Sequence, residues 1–341
     1  MKAVVLETRG ADGVRWRDHP DPVRKPGETV LRVDASSLNR VDLYVRDSGV
    51  GITHTLPQVM GVEAAGEIVE TEPGSGLEVG RKAVLFSEIF CGRCRYCLAG
   101  DQTLCTAVQI MGEHRDGGFA EYVAMPHVNF FPLPDDTLIA EAGALMTAHL
   151  TAWRMLFGKR CLQPGESVMI VGIGGGVAVA CLQLAKLVGA RVFVTSSGDD
   201  KLARAAAMGA DGGVNYRKDP VAKAILDMSG GGVDMLIDSV GQASWGDSLR
   251  SLRRGGRLVT CGATTGSHPS ADLQRVFIRQ LEIYGSTGGS MTEFRQLIDV
   301  FARGLIHPVI DTTFAMADIR SAFDRLSAGA QFGKISVVRE P

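Results

Sequence analysis

The stretch "SVMIVGIGGGVAVACLQLAKLVGARVFVTSS", residues 167–197, predicts a strand, a glycine-rich turn, a helix and a second strand in succession. Gly172, Gly175 and Ala178 place small residues at a G-x-x-G-x-x-A spacing where the first strand meets the helix. Small residues there permit a tight turn, the approach of backbone N–H groups to a pyrophosphate, and close packing of helix on strand. An ordinary glycine turn is the alternative, but the βαβ context favours a dinucleotide site. The residues predicted to form its turn are Gly172, Gly175, Gly176, Val177 and Ala178.

Strands and helices alternate through the second part of the chain. Six apolar runs predict parallel strands: "SVMIVG", "ARVFVTS", "GVNY", "VDMLIDSV", "RLVTCG" and "LEIYGST". Apolar strands that alternate with helices are typical of a doubly wound parallel sheet, buried on both faces. Residues 1–135 instead contain short β-like runs broken by Gly and Pro, which predict a separate β-rich domain. The tail after residue 306 has a strand–helix–strand pattern that could belong to either domain.

The end of the second strand bears on which dinucleotide binds. NAD sites usually place Asp or Glu there to hold the ribose hydroxyls, whereas this chain has the small hydroxylic residues Ser196 and Ser197. Without a carboxylate a 2′-phosphate meets less repulsion, and Lys201 and Tyr216 follow where they could reach the same pocket. We therefore expect NADPH in preference to NADH, although residues 199–200 are both Asp.

Four of the seven cysteines lie in "CGRCRYCLAGDQTLC", residues 91–105, with the spacing C-x2-C-x2-C-x7-C. Thiolates at this spacing on a glycine-bearing loop can converge on one tetrahedral Zn2+, and four sulfur ligands leave no open position. An iron–sulfur cluster is the rival, but ferredoxin spacings differ from this one. The sequence therefore predicts one structural zinc per chain, with the ligands Cys91, Cys94, Cys97 and Cys105.

Bulk composition excludes several classes of function. A net charge of −2 over 341 residues, with no basic stripe, gives no reason to expect nucleic acid as a partner. No apolar run approaches the ~20 residues that a membrane span needs. The cysteine count is odd, and the three outside the cluster stand alone, which is not a disulfide framework. These features favour a cytoplasmic protein with a small-molecule substrate.

Together these motifs resemble the medium-chain dehydrogenase/reductase superfamily, which contains zinc alcohol dehydrogenases and quinone oxidoreductases. The resemblance covers the whole chain, including "GEHRDGGFAEYVAMP" and the closing "FGKISVV". It implies an α/β protein with a GroES-like catalytic domain, residues 1–135 and 306–341, that carries a zinc lobe at about 88–108. Residues 136–305 would form the Rossmann domain. Family members are commonly dimers or tetramers, so a homodimer or homotetramer is expected.

The family's catalytic zinc is where the sequence departs from the pattern. The three ligand positions fall on Asn39, on Val62 and near Thr147, none of which is a usual zinc ligand. The stretch "LNRVDLYVRDSG" resembles instead the zinc-independent quinone oxidoreductases, whose Asn-x-x-Asp and following Arg match Asn39, Asp42 and Arg46. The same branch implies that Lys201 and Tyr216 serve NADPH. The superfamily further implies contacts to the nicotinamide half from a set of residues after the later strands: Gly262, Ser286 and Thr287.

Without a Lewis acid a bound alcohol would not readily lose its proton, so reduction of a conjugated acceptor is expected: a quinone, an enone or an enoyl thioester. Asn39 is the first candidate for a polar group beside the nicotinamide. Arg46 could hold an anionic part of the substrate or pair with Asp42, and Tyr44, His54 and His149 are candidate proton donors. One alternative is an alcohol or aldehyde dehydrogenase with an atypical metal site. Another is a non-catalytic NADPH-binding protein.

Overall fold

The computed structural model describes residues 1–49 and 55–339, which fold as two compact units. The first unit comprises Met1–Ala148 and Ser290–Pro341, and the second comprises His149–Gly289. The mixture of α and β structure predicted for the two parts of the chain is confirmed, and each unit has its own sheet system.

The strands, in chain order, are β1 (Lys2–Leu6), β2 (Val14–Asp18), β3 (Glu28–Leu38), β4 (Gln58–Val59), β5 (Ala65–Glu70), β6 (Lys82–Leu85), β7 (Glu88–Ile89), β8 (Gln109–Ile110), β9 (Tyr122–Pro126), β10 (Phe130–Pro132), β11 (Ser167–Ile170), β12 (Arg191–Ser196), β13 (Gly212–Asn215), β14 (Val233–Asp238), β15 (Leu252–Thr260), β16 (Glu282–Gly285), β17 (Ile310–Ala315) and β18 (Lys334–Val338). The helices are α1 (Arg40–Asp47), α2 (Arg95–Leu98), α3 (Ile139–Ala142), α4 (Met146–Trp153), α5 (Gly176–Leu187), α6 (Asp199–Ala207), α7 (Val221–Ser229), α8 (Trp245–Ser251), α9 (Leu273–Arg279), α10 (Met291–Ala302) and α11 (Ile319–Ser327). Short 3-10 turns and one π turn, Arg154–Gly158, complete the described part of the chain.

The long strand β3 organises the first unit. It pairs antiparallel with β5, β9 and β18, in a sheet of order β10-β6-β5-β3-β18-β17. Both faces of β3 are largely buried, and its Leu31 and Val33 belong to one buried apolar cluster with Phe119 and Phe323. The C-terminal tail therefore returns to the strand that leads into α1.

The compact units end at residues other than the limits predicted for the domains, because two helices pack with the first unit. In α10, Phe294 contacts Phe86 and Phe131 with ring centroids 5.6 Å and 4.9 Å apart. The short helix α3 packs on β3 and β5. An apolar helix pattern shows that a helix buries one face but not which sheet covers it.

The second unit is a parallel sheet of order β13-β12-β11-β14-β15-β16 within residues 149–289, all of which are described. Its first strand is therefore central, and the chain moves outward in one direction, returns to the middle, and then moves outward in the other. This is the dinucleotide-binding order, with a topological switch point between β11 and β14. Met169, Phe193, Leu236 and Leu258 of four strands belong to one buried cluster.

No helix in the described ranges is both long enough and apolar enough to cross a membrane.

Candidate functional site

The glycine-rich turn between β11 and α5 leaves space at the start of the helix. Gly172 and Gly174 have φ angles of +73° and +122°, which residues other than glycine rarely adopt. Thr195 at the end of β12 holds the turn, since its Oγ1 accepts from the Gly172 N–H at 3.1 Å and its carbonyl accepts from the Ile173 N–H at 2.7 Å. At Gly175, the N-cap of α5, a Cβ would meet nothing within 4 Å. The N-terminus of a twelve-residue helix therefore has open space beside Gly175, which suits a pyrophosphate.

The predicted phosphate-side residues gather at this turn. Ser196 is 2% exposed, and its Oγ accepts from the Gly198 N–H at 3.2 Å, whereas Ser197 is half-buried. Lys201 lies across the turn, because a Cβ placed on Gly174 would stand 2.8 Å from its Cδ and 3.2 Å from its Nζ. Tyr216 directly follows β13 and is 52% exposed. Gly176, Val177 and Ala178 form the first turn of α5.

The two neighbouring aspartates differ in their surroundings. Asp199 accepts from Asn215 Nδ2 at 2.6 Å and from Lys218 Nζ at 2.5 Å, and these two partners lower the pKa of its carboxyl group. Asp200 carries no such pair of partners in the described residues. The negative charge that stood against an NADPH site in the sequence is thus partly neutralised by Lys218.

The residues predicted for the nicotinamide side lie after the C-terminal ends of β15 and β16, where open parallel sheets bind ligands. Ser286 donates its N–H to the Thr260 carbonyl at 2.9 Å, while its buried Oγ has no partner among the residues that the structure describes. Gly262 is half-buried, with a would-be Cβ 3.1 Å from the Ser239 carbonyl, and Thr287 is exposed. The donor and acceptor groups present thus fit a dinucleotide.

Asp238, which the sequence reasoning missed, organises the same edge of the sheet. This fully buried residue at the end of β14 accepts from the N–H groups of Val240 and Gly241 at 2.7 Å and 2.9 Å. It also accepts from the hydroxyls of Ser244 and Ser248 at 2.7 Å and 2.9 Å. The signal available was a charged residue that ends an otherwise apolar strand pattern, "VDMLIDSV".

The four cysteines of the predicted zinc lobe converge. Sγ atoms of Cys91, Cys94, Cys97 and Cys105 all lie within 4.8 Å of one another, and those of Cys91 and Cys97 are 3.9 Å apart. Backbone N–H groups donate to these sulfurs, and bonds of this kind lower the pKa of the Cys94 thiol to about 6, whereas burial raises the pKa of the Cys97 thiol to about 12. Four thiols that converge on one short loop fit a structural zinc.

Asn39 lies in a buried polar cluster, by which we mean Asn39, Asp42, Glu63 and Lys334. The four are 7%, 1%, 1% and 3% exposed. Lys334 Nζ donates to Asn39 Oδ1 at 2.5 Å and pairs with Glu63 Oε2 at 3.2 Å. Sequence reasoning had not connected Lys334 with this region, because 295 residues separate it from Asn39.

Glu63 and Asp42 are held in different ways within this cluster. Glu63 Oε1 accepts from the Thr147 N–H at 2.5 Å, and its Oε2 accepts from the Ser37 hydroxyl as well as from Lys334. Asp42 Oδ2 accepts from the Asn39 N–H at 2.7 Å, which caps α1. Burial raises the pKa of Asp42 to about 7, against the lowering effects of that bond and of the Lys334 charge.

The other predicted catalytic residues do not join this cluster. Arg46 binds Asp47 through Nε and Nη2 at 2.6 Å and 2.9 Å, and its guanidinium lies 5.1 Å from the centre of the Phe323 ring. Tyr44 is 42% exposed on α1, and His149 is buried. His54 lies outside the described residues.

The positions that match the family's catalytic zinc ligands do not fit a metal. Val62 has only carbon in its side chain, and Asn39 Oδ1 is bound to an ammonium group. Both Glu63 oxygens are engaged by Thr147, Ser37 and Lys334. The cysteine ring is the one group of three or more His, Cys, Asp or Glu side chains suited to a metal in residues 1–49 and 55–339.

Comparisons with known proteins agree with this geometry. A family model described as the alcohol dehydrogenase GroES-like domain matches residues 25–135, and one described as a zinc-binding dehydrogenase matches residues 176–303. An alcohol dehydrogenase of Geobacillus stearothermophilus is 31% identical over 98% of this chain and 97% of its own length. A crystal structure of an NAD-dependent alcohol dehydrogenase superposes with a TM-score of 0.95 at 36% identity, covering 100% of both chains.

A second solved structure has lower sequence similarity. A crotonyl-CoA carboxylase/reductase in complex with NADP is 22% identical with a TM-score of 0.92, covering 99% of this chain and 95% of its own, which shows a shared fold. The family models and the full-length similarity to alcohol dehydrogenases therefore place this chain in the zinc-containing medium-chain dehydrogenase/reductase superfamily, as an NAD(P)-dependent oxidoreductase.

Proposed function

We propose that this enzyme uses NADPH to reduce a conjugated acceptor (a quinone, an enone or an enoyl thioester) without a catalytic zinc. The observation that carries the proposal is the buried polar cluster with its neighbour Val62, because two positions that match the family's catalytic zinc ligands are an asparagine and a valine, and that asparagine is bound to the ammonium group of Lys334. Because no Lewis acid acidifies an alcohol there, acceptors that delocalise the incoming charge are favoured.

Asn39 is the residue we assign to the reacting acceptor. Bound NADPH supplies a hydride, which leaves negative charge on the acceptor's conjugated oxygen. An amide N–H of Asn39 would stabilise that oxygen by a hydrogen bond that strengthens as the charge develops. Tyr44 is exposed, and we keep it as a candidate proton donor beside solvent. The contacts of Arg46 with Asp47 and Phe323 support a structural role instead.

NADPH is proposed over NADH because of the charges near Ser196. Lys201 lies across the glycine turn, and Lys218 partly neutralises Asp199, so a 2′-phosphate would meet a cation with less opposing charge. The NAD-dependent alcohol dehydrogenase among the similar structures favours NADH as the alternative.

The cysteine ring would hold one structural zinc through Cys91, Cys94, Cys97 and Cys105. When bound, the zinc would cross-link the loop after β7 to the turn before β8 and take no part in the chemistry. An alcohol or aldehyde dehydrogenase with an atypical second metal is the rival function, and the names of the curated relatives favour it.

A second copy of this chain is the partner we propose, consistent with a dimer or tetramer. Strand β16 pairs with β15 and leaves its other edge open within residues 149–289. Ile283 on β16 is 42% exposed, and Leu273 and Phe277 on the preceding helix α9 are 71% and 68% exposed. Exposed apolar side chains at an open strand edge are suited to pairing with an identical edge. A monomeric mass in solution would contradict this partner.

The test is oxidation of NADPH and NADH by the purified enzyme against enones, quinones and enoyl thioesters, with simple aldehydes as controls. We expect turnover confined to conjugated acceptors, a lower KM for NADPH, and one zinc per chain in the same sample. Asn39→Ala should lower kcat by about 10²- to 10³-fold, the usual effect of removing one oxyanion donor. Turnover with aldehydes alone, together with two zincs per chain, would establish the rival function.

A further inference from the structure

The side-chain amide of Asn39 is held in one orientation. Its Oδ1 accepts from Lys334 Nζ at 2.5 Å, and its Nδ2 donates to the Ser37 carbonyl at 3.3 Å. A primary amide carries two N–H donors, and no acceptor for the second one is found among the described residues. The amide therefore presents a donor, not an acceptor, to anything that binds beside it.

Lys334 is itself fully engaged. Nζ donates to the Leu38 carbonyl at 3.1 Å and to Asn39 Oδ1, and it pairs with Glu63 Oε2 at 3.2 Å. An ammonium group has three donors, so these three partners leave none for a substrate. Its influence on a reaction must pass through the groups it binds.

The backbone places this lysine beside Asn39. Antiparallel pairing of β18 with β3 sets Ile335 opposite Leu38, which brings the preceding residue, Lys334, next to Asn39. The Lys334 side chain is only 3% exposed, and its charge is balanced by Glu63. Asp42 is also close, since the Lys334 charge opposes the rise that burial causes in the pKa of Asp42. A buried charge persists when partners surround it in this way.

We propose that Lys334 is a positioning residue that directs the Asn39 amide, so that Nδ2 rather than Oδ1 faces the acceptor. The catalytic part of this inference rests on the proposed function, in which Asn39 donates to the acceptor's oxygen. With the lysine present, the reverse orientation would set an amide N–H against an ammonium N–H. Without it only the 3.3 Å bond to the Ser37 carbonyl and the capping contact with the Asp42 backbone N–H orient the amide, which then turns more readily. An amide oxygen that faces a developing oxyanion opposes the reaction.

The variants are chosen so that the protein can fold. Lys334→Met alone would leave Glu63 buried without its cation, which is strongly destabilising. We therefore compare Glu63→Gln, in which Asp42 can ionise and balance the charge of the lysine, with the double variant Glu63→Gln/Lys334→Met, which removes one charge of each sign. Their difference isolates the ammonium group.

The first readout does not depend on turnover. The chain contains three asparagines, Asn39, Asn129 and Asn215, so selective 15N-asparagine labelling gives three side-chain NH2 signals. We expect the Asn39 pair to shift and exchange faster with solvent in the double variant than in Glu63→Gln. Asn129, bound to the carbonyls of Phe86 and Glu88, and Asn215, bound to Asp199, serve as internal controls. An unchanged Asn39 pair would overturn the proposal.

The second readout is kinetic. Loss of the ammonium should lower kcat roughly 10- to 100-fold at little change in KM, as expected when a reacting group is misplaced. In an Asn39→Ala background the same change should have no further effect, because the lysine acts through the amide. An equal loss in both backgrounds would show a merely structural role and overturn the proposal. If the wild type reduces no conjugated acceptor, the proposed function fails, and the NMR result alone decides the orientation.

Discussion

The cysteine lobe and the buried polar cluster are two places where this superfamily can hold a metal, and the chain treats them in opposite ways. In the lobe, four sulfurs lie within 4.8 Å of one another. In the cluster the cation is the protein's own, since Lys334 binds Glu63 and Asn39. A metal site on a loop stabilises the loop, whereas a metal at a reaction centre decides the chemistry. The chain has the ligands for the first and lacks them for the second.

The two regions also differ in how they are held. The lobe is local, with ligands that lie on one loop between β7 and β8 and three cysteines half-buried. The cluster joins β3 to β18, which is distant in sequence, and all its members are nearly inaccessible to solvent. We therefore expect the lobe to respond to metal and chelators, and the cluster to respond to pH and to the removal of single hydrogen bonds.

The largest effect is expected in the lobe. Cys97→Ser should reduce zinc from one per chain to a small fraction of that and lower Tm by about 10 °C or more, because metal binding stabilises the folded loop. Zinc content and thermal unfolding of the same sample measure both. Cys161→Ser is the matched control, since that cysteine is exposed and outside the ring. Equal zinc content in the two variants would show that Cys97 is not a zinc ligand and that the lobe is not the metal site proposed here.

The next effect is a pH dependence of the cluster. The pKa of Asp42 is raised from 3.8 to about 7 by burial, so the folded protein retains a proton that the unfolded chain releases. The contribution of the protonated Asp42 to the free energy of unfolding is complete below pH ~4 and is lost as the pH rises through ~7. The total change is limited to about 4 kcal/mol. Asp42→Asn keeps an oxygen that can accept from the Asn39 N–H but cannot titrate.

Urea unfolding from pH 4.5 to 8 measures this difference. As the pH rises, the free energy of unfolding of Asp42→Asn should increase relative to that of the wild type. Asp227→Asn, at an exposed position of helix α7, controls for the substitution itself. If the curves of Asp42→Asn and the wild type stay parallel, the carboxyl group is already ionised at pH 4.5 and the cluster holds two negative charges.

The sequence predicted the parts of the protein that depend on local pattern. The strand–turn–helix of residues 167–197, the six parallel strands and the converging cysteines each follow from spacing that physical chemistry constrains. What it did not predict depends on pairing between distant strands. Nothing in the sequence pattern distinguishes Lys334 from an ordinary lysine in a strand. Only the register of β18 on β3 places it beside Asn39. Likewise, helix α10 shows an apolar face, but its partners Phe86 and Phe131 are far away in the chain.

The smallest effect comes from two neighbouring serines on β3. Ser36 and Ser37 are both fully buried, and both donate to Glu63, Ser36 to its carbonyl at 2.6 Å and Ser37 to its carboxylate. Hydrogen bonds to charged groups are worth more than neutral ones, so Ser37→Ala should cost about 1.5–3 kcal/mol and Ser36→Ala about 0.5–1.5 kcal/mol. Urea unfolding at pH 8 compares the two, and zinc content should be equal in both because the lobe is independent. Equal costs would mean that Lys334 and the Thr147 N–H already satisfy the Glu63 carboxylate, and that the cluster relies on its lysine alone.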